Sequence, residues 1–146
     1  MSEASPPNAK TAYAVWNVRG ESHVAPLAAD DFCVTFLRNA TAYGASPRIR
    51  FDIVLNDLVA LAWTTKRIAM TSDGTPWRPI VHIDDICLAV RCALAAPTEV
   101  VNGQVFNVGA DTENYRIKQL AEIVACLLYT SPSPRDRTRY RMPSSA

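Results

Sequence analysis

Arg78 is well placed by sequence to meet a ligand, because it precedes an abrupt change from strand to helix. Residues 78–85 read Arg-Pro-Ile-Val-His-Ile-Asp-Asp. The β-branched residues here favour a strand, and Pro79 stands where a strand begins, a position that proline tolerates. Asp84 is a typical N-cap, and the apolar periodicity that follows predicts a helix over 86–96. This corner could present the guanidinium of Arg78 to a ligand.

The other reactive side chains do not form a recognisable site by spacing alone. Asp84 and Asp85 are adjacent on the predicted helix, so their carboxylates do not face each other as an acid/base pair would. His82 is predicted to be a hydrogen-bonded structural residue of the strand. The four cysteines lack paired Cys-x-x-Cys spacing, and three lie in apolar runs. They are therefore predicted to be core residues of a reducing compartment, and no metal site is expected.

Composition narrows the range of partners. The chain has 146 residues, of which 49% are hydrophobic, and no apolar run is as long as a membrane span. The first ten residues are polar, so no secretory signal is visible and a cytoplasmic location is expected. The three tryptophans are scattered rather than grouped as a stacking surface, which argues against nucleic acid as a partner.

Residues 126–146 differ in character from the rest of the chain. Serine, proline and arginine dominate there, and the apolar periodicity is lost. The stretch resembles the translation of a transposase-type sequencing adapter, so it is predicted to be a non-native disordered tail, with residues 1–125 as the domain. Without this tail the net charge of +1 becomes slightly negative, and the hypothesis of a basic tail that binds nucleic acid disappears.

Alternating strands and helices predict an α/β fold with a parallel sheet. The expected elements are a helix from Thr11, a strand over 32–37 buried on both faces, an irregular loop over 38–50, a helix over 51–65, a short strand over 68–70 closed by a turn at 72–74, a strand over 104–108 and a last helix from Ile117. The loop over 38–50 would lie at the carboxyl end of a strand, where ligands bind in such folds.

None of the five glycines has the spacing of a loop that holds a dinucleotide pyrophosphate at a helix N-terminus. A phosphate-binding fold without that loop is either another fold or half of one.

Several short motifs occur in an order that resembles the C-terminal half of the extended short-chain dehydrogenase/reductases. Within that family the resemblance is to the NAD-dependent epimerases and dehydratases of nucleotide sugars. It covers about residues 8–125, through Thr11-Ala12-Tyr13, Leu37-Arg38-Asn39-Ala40-Thr41-Ala42-Tyr43-Gly44, Arg50-Phe51-Asp52, Asn56, Asp73-Gly74, Arg78-Pro79-x-x-His82-x-x-Asp85 and Phe106-Asn107-Val108-Gly109. The resemblance implies a partial Rossmann-like parallel sheet plus a small C-terminal substrate-binding part, with the N-terminal cofactor half missing.

The resemblance also implies residue roles. Tyr13 falls at the family's catalytic tyrosine, which acts as general acid/base on a sugar hydroxyl. Asn17 stands where the family has a lysine that binds the nicotinamide ribose and lowers the pKa of the tyrosine, so here that position can donate a hydrogen bond but no charge. Cofactor contacts are expected at Asn17, Asn39 and Thr41, and substrate contacts at Thr41, Tyr43 and Arg78, with Arg78 reaching a diphosphate.

Three functions remain open at this point. The first is a fragment of an NAD-dependent nucleotide-sugar epimerase or dehydratase, inactive as a fragment and homodimeric when complete. The second is a non-catalytic paralogue that binds a nucleotide sugar or a protein partner, which Asn17 favours. The third is an NADP-dependent carbonyl reductase of the same superfamily. Because the strand over 32–37 lacks a neighbour on at least one side, the chain alone is expected to aggregate or to be partly molten.

Overall fold

The computed structural model describes residues 3–6 and 8–129, and these form an α/β fold with parallel strand pairs. The helices are α1 (Ala12–Val24), α2 (Val54–Thr65), α3 (Ile83–Ala95), α4 (Thr98–Val101) and α5 (Ile117–Tyr129). The strands are β1 (Thr35–Asn39), β2 (Thr41–Tyr43), β3 (Trp77–His82), β4 (Gln104–Val108) and β5 (Asn114–Arg116). The chain divides into two compact units, Met1–Ala45 with Pro79–Asn114, and Ser46–Arg78 with Tyr115–Ala146.

In the first unit, β1 pairs in parallel with β4, with Leu37 opposite Phe106. The predicted start of this strand at Phe32 is wrong, because the segment before β1 is held as a turn. The side-chain amide of Asn102 accepts from the Val34 N–H at 2.9 Å and donates to the Ala29 carbonyl at 3.0 Å. Two long-range hydrogen bonds therefore delay the strand to Thr35, and β1 is half-buried rather than buried on both faces.

The segment that was predicted to be an irregular loop contains β2, a strand of three residues. β2 runs parallel to β3, with Thr41 opposite Ile80 and Tyr43 opposite His82. β5 lies on the other side of β3 in the strand order, and it was not predicted from the sequence. The strand predicted over 68–70 is not formed. Strands this short depend on their neighbours, which explains all three errors.

Helix α3 begins at Ile83, directly after β3, and not at Ile86 as predicted. Its N-cap is His82, whose Nδ1 accepts from the Asp84 backbone N–H at 3.3 Å, so the predicted cap Asp84 instead lies within the first turn. Because strand and helix share this corner without a linker, the last strand residue is the one that reaches the free amides. α3 packs against β1, β2 and β4.

In the second unit, α2 packs against α5 around a small apolar core formed by Leu58, Ala62, Leu120, Ala121 and Val124. α2 begins at Val54 rather than at 51 and ends at Thr65, and its C-cap Lys66 has a left-handed backbone with φ of 57°. The predicted turn at 72–74 is present, and Gly74 has φ of 78°.

The predicted disordered tail begins inside α5, because this helix continues to Tyr129. Residues 126–129 are therefore helical, and the Tyr129 hydroxyl donates to the Ala62 carbonyl at 2.7 Å. The rest of the predicted tail, residues 130–146, lies outside the described residues.

The cysteines were predicted to be core residues, and this is wrong, since all four are exposed and unbonded to one another. The apolar runs that contain them include outward-facing positions: α3 has no buried residue, and Leu94 on it is 82% exposed. No helix in the described part of the chain is long and apolar enough to cross a membrane.

Candidate functional site

A cavity of about 370 Å³ lies in the first unit where three strands end. Tyr43 ends β2, His82 ends β3 and Val108 ends β4, and all three line the cavity. The rest of the lining is Ile80, Val81, Asp85, Gly109, Ala110 and Glu113. Ligands of open α/β folds bind outside the carboxyl ends of the strands, so this is the candidate site.

Tyr43 and His82 form one wall of the cavity and fix each other. They are opposite one another in the parallel register, and their rings meet edge to face, with centroids 5.2 Å apart and an interplanar angle of 78°. His82 is held in turn by its cap to the Asp84 amide. The ring of Tyr43 is therefore positioned by the strand register and by the first turn of α3, which gives the cavity a firm aromatic wall.

The polar side chains of the lining accept hydrogen bonds more than they donate. Asp85 lies in the first turn of α3, and Glu113 is anchored through its backbone, since its carbonyl accepts from the Ile80 N–H at 2.9 Å. No lysine or arginine is among the described residues of the lining. Carboxylates beside aromatic rings suit a ligand that carries hydroxyl groups, and they disfavour a phosphate at this place.

The segment from Asn39 to Tyr43 contains three of the predicted site residues. Asn39 is exposed at the end of β1, opposite Val108, and Thr41 is half-buried at the start of β2. Between them the Ala40 N–H donates to the Val108 carbonyl at 2.9 Å, so the whole segment runs beside the end of β4. Of these predicted residues, Tyr43 lines the cavity.

Tyr13 and Asn17 lie one turn apart on α1, as predicted, and both are exposed. The N-terminus of this helix is capped by Thr11, whose hydroxyl oxygen accepts from the Ala14 N–H at 3.2 Å. Side chains at i and i+4 share a helix face, so the two can address the same ligand. Their assignment as catalytic and cofactor-binding residues stays a prediction.

Arg78 belongs to the second unit and is exposed. Its guanidinium makes a long contact of 3.5 Å from Nη1 to the Trp77 carbonyl, and the adjacent Trp77 ring lies 5.2 Å from the guanidinium carbon of Arg116. Its role toward a diphosphate stays a prediction.

Sequence reasoning did not single out Asp85, Gly109 and Glu113 as parts of a site. Asp85 was interpreted as a helix-terminal charge, and Gly109 as the end of a strand. A signal that could have found them is the position of three motifs that resemble the family. Each of these motifs contains the last residue of one strand, Tyr43 of β2, His82 of β3 or Val108 of β4.

Comparison with known proteins decides the family. Residues 1–109 match the family described as NAD dependent epimerase/dehydratase family. The chain belongs to this family.

Solved structures of the family share its fold. The chain resembles dTDP-glucose 4,6-dehydratase from Bacillus anthracis str. Ames in complex with NAD, with 19% identity and a TM-score of 0.71 over 93% of this chain and 42% of that one. It resembles MoeE5 in complex with UDP-glucose and NAD, with 25% identity and a TM-score of 0.74 over 87% of this chain and 42% of that one.

A third similar structure is TunA, an NAD-dependent NDP-hexosamine 5,6-dehydratase involved in tunicamycin biosynthesis, with 25% identity and a TM-score of 0.70 over 87% of this chain and 40% of that one. The chain thus spans about two fifths of the length of these relatives. The predicted Rossmann-like fold and the prediction of an NAD-dependent family are both confirmed.

The described residues do not by themselves form a dinucleotide cradle. Gly44, Gly74 and Gly103 have positive φ, and each lies in a turn rather than in a glycine-rich loop that opens a helix. α1 opens with Thr11 in place of such a loop. The pyrophosphate of NAD therefore has no matching site among the described residues.

Proposed function

We propose that this chain is the substrate-facing part of an NAD-dependent nucleotide-sugar epimerase or dehydratase. Family membership and the relatives solved with UDP-glucose or classed as NDP-hexosamine dehydratase support the substrate class. The observation that carries the proposal is the cavity at the ends of β2, β3 and β4, whose lining includes Tyr43, His82, Asp85 and Glu113. This lining suits the hydroxyl groups of a sugar.

The proposed roles are those that the resemblance to the family implies, and the chemistry of the side chains is compatible with them. Tyr13 exchanges a proton with a sugar hydroxyl, because a phenol can both donate and accept one. Asn17, on the same helix face, hydrogen-bonds a ribose hydroxyl without supplying charge. Arg78 binds a diphosphate through its two-pronged guanidinium, and Asn39 and Thr41 contact the ligand from the segment that leads into Tyr43. A cytoplasmic location and a homodimeric assembly stay predictions.

Calorimetric titration of the chain with UDP-glucose tests the proposal. We expect weak, saturable binding, and we expect Arg78→Gln to weaken it about tenfold, since a charge-assisted contact to phosphate is removed. The matched control is Arg91→Gln, which removes an exposed arginine from α3. Absence of UDP-glucose binding, or equal losses for the two variants, would contradict the proposed substrate contact.

Binding without catalysis is a second candidate function, and Asn17 is the observation that favours it. Asn17 supplies no positive charge beside Tyr13, whereas the family's lysine at this position would supply one. Both the chain and its Asn17→Lys variant are expected to bind UDP-glucose and to leave it unchanged in the presence of NAD, because no pyrophosphate cradle is present among the described residues. Turnover by the unmodified chain would rule out the non-catalytic function.

A further inference from the structure

We propose that Arg38 is the positioning residue for helix α1 and hence for Tyr13 and Asn17. The functional importance of Tyr13 and Asn17 rests on the proposed function, whereas the contacts of Arg38 with α1 do not depend on it. Every residue of α1 is described and none is buried, and its aromatic residues Tyr13 and Trp16 are 78% and 67% exposed. Apolar packing therefore does little to fix this helix, and a specific polar contact must do so.

That contact is a two-pronged ion pair between β1 and α1. The Arg38 Nε donates to Glu21 Oε2 at 3.1 Å, and Nη2 donates to Oε1. The two side chains are only 29% and 25% exposed, so water weakens the pair less than it weakens a surface pair. The hydrogen bond and charge of Glu21 raise the pKa of Arg38 above its ordinary value.

Arg38 also uses a third donor. Its Nη1 donates to the Glu3 carbonyl at 3.0 Å, and the carboxylate of Glu3 accepts from the Asn107 backbone N–H at 3.0 Å. Asn107 lies opposite Arg38 in the parallel pair of β1 and β4. The guanidinium of Arg38 thus connects α1 to both strands of this sheet. It belongs to β1 itself, and it reaches β4 through Glu3, which is bonded to Asn107.

The ion pair is suited to orient Tyr13. Glu21 lies two helical turns after Tyr13, and a helix of 13 residues transmits orientation along its length because its backbone is continuously hydrogen-bonded. Arg38 immediately precedes Asn39, which leads to Thr41. The same arginine therefore relates the helix that carries Tyr13 to the segment that carries the predicted ligand contacts.

Amide hydrogen exchange of the full chain tests this inference without requiring activity. In Arg38→Gln we expect the α1 amides to exchange about tenfold faster, while the amides of α2 and α5 keep their rates. The matched control is Arg50→Gln. Arg50 pairs with Asp52 in a similar two-pronged way, but that pair joins residues two positions apart and its side chains are 67% and 64% exposed. The control should leave α1 unchanged.

Rescue separates positioning from general stability. Arg38→Lys retains the charge without the fork and should restore part of the α1 protection, and the charge-swapped pair Arg38→Glu with Glu21→Arg should restore more. Unchanged α1 exchange in Arg38→Gln, or faster exchange throughout both units with no rescue, would overturn the inference. Neither result bears on UDP-glucose binding, so failure here is distinct from failure of the proposed function.

Discussion

The imidazole of His82 occupies the space into which a side chain at residue 44 would extend. A Cβ built on Gly44 would lie 2.5 Å from His82 Nε2, and the Gly44 backbone has φ of +111°. Gly44 follows β2 in direct contact with His82, the residue that caps α3. The close contact and the positive φ both require a residue without a side chain at this position. The wall of the candidate site and the cap of the helix are therefore one packed unit.

Gly44→Ala is expected to lower the free energy of unfolding by about 2–4 kcal/mol, because strain at positive φ is added to the collision with His82. Gly103→Ala is the matched control. Gly103 also has positive φ, 71°, but a Cβ there would meet no atom within 4 Å, so the cost should be about 1 kcal/mol.

Chemical denaturation measures both values, and the double variant Gly44→Ala with His82→Ala should recover the steric part. Equal costs at residues 44 and 103 would show that His82 does not restrict this turn.

The turn at Asp73 should respond to pH. The Thr75 backbone N–H donates to the Asp73 carboxylate at 3.1 Å, and the Thr75 hydroxyl donates to the same carboxylate at 2.8 Å. Both hydrogen bonds lower the pKa of Asp73, and the backbone bond has the larger effect. The carboxylate therefore stabilises the turn fully above the unfolded-state pKa of about 4, and this contribution is lost as the pH falls through the lower folded-state pKa.

Carboxyl NMR titration of Asp73, together with exchange of the Thr75 amide, measures this behaviour. In Asp73→Asn the oxygen acceptor remains and the charge is gone, so the Thr75 amide should keep only the pH dependence of intrinsic amide exchange. An Asp73 carboxyl that titrates at its ordinary pKa or above would contradict the assignment.

Tyr129→Phe should destabilise the second unit by about 1 kcal/mol, since the hydrogen bond to the Ala62 carbonyl is lost. The cost is kept small because that carbonyl also accepts from the Lys66 N–H at 3.1 Å and is not left without a partner. Thermal unfolding compares this variant with Tyr13→Phe, whose tyrosine is 78% exposed and should be neutral for stability. An equally neutral Tyr129→Phe would imply that the last turn of α5 adds nothing to the unit.

The bounds of an element could be predicted from the sequence where local residues alone determine them. β4 has the predicted bounds, because its alternating residues stand between two glycines. α1 starts at Ala12, one residue after the predicted start at Thr11, which is its N-cap. The start of β1 could not be predicted, since it depends on the side chain of Asn102, which is 68 residues away in sequence from Val34. The expected aggregation of the chain stays a prediction; among the described residues β1 has a partner on one edge.

The candidate site was predicted only in part, for the same physical reason. Tyr43 could be found from a motif, but its wall of the cavity exists because the parallel register places it opposite His82. Glu113 joins through a backbone hydrogen bond to Ile80, and no local pattern encodes that contact. Sequence spacing shows which residues can do chemistry, whereas strand pairing decides which of them meet.

We propose that the cavity at the strand ends holds the sugar of a nucleotide sugar. Titrating the isotopically labelled chain with UDP-glucose and following the backbone amide signals tests it most directly. We expect saturable shifts concentrated at Thr41, Tyr43, Asp85 and Glu113, with little change in α5. Shifts confined to the α2 and α5 helices, or no saturable shift at concentrations of several millimolar, would contradict it.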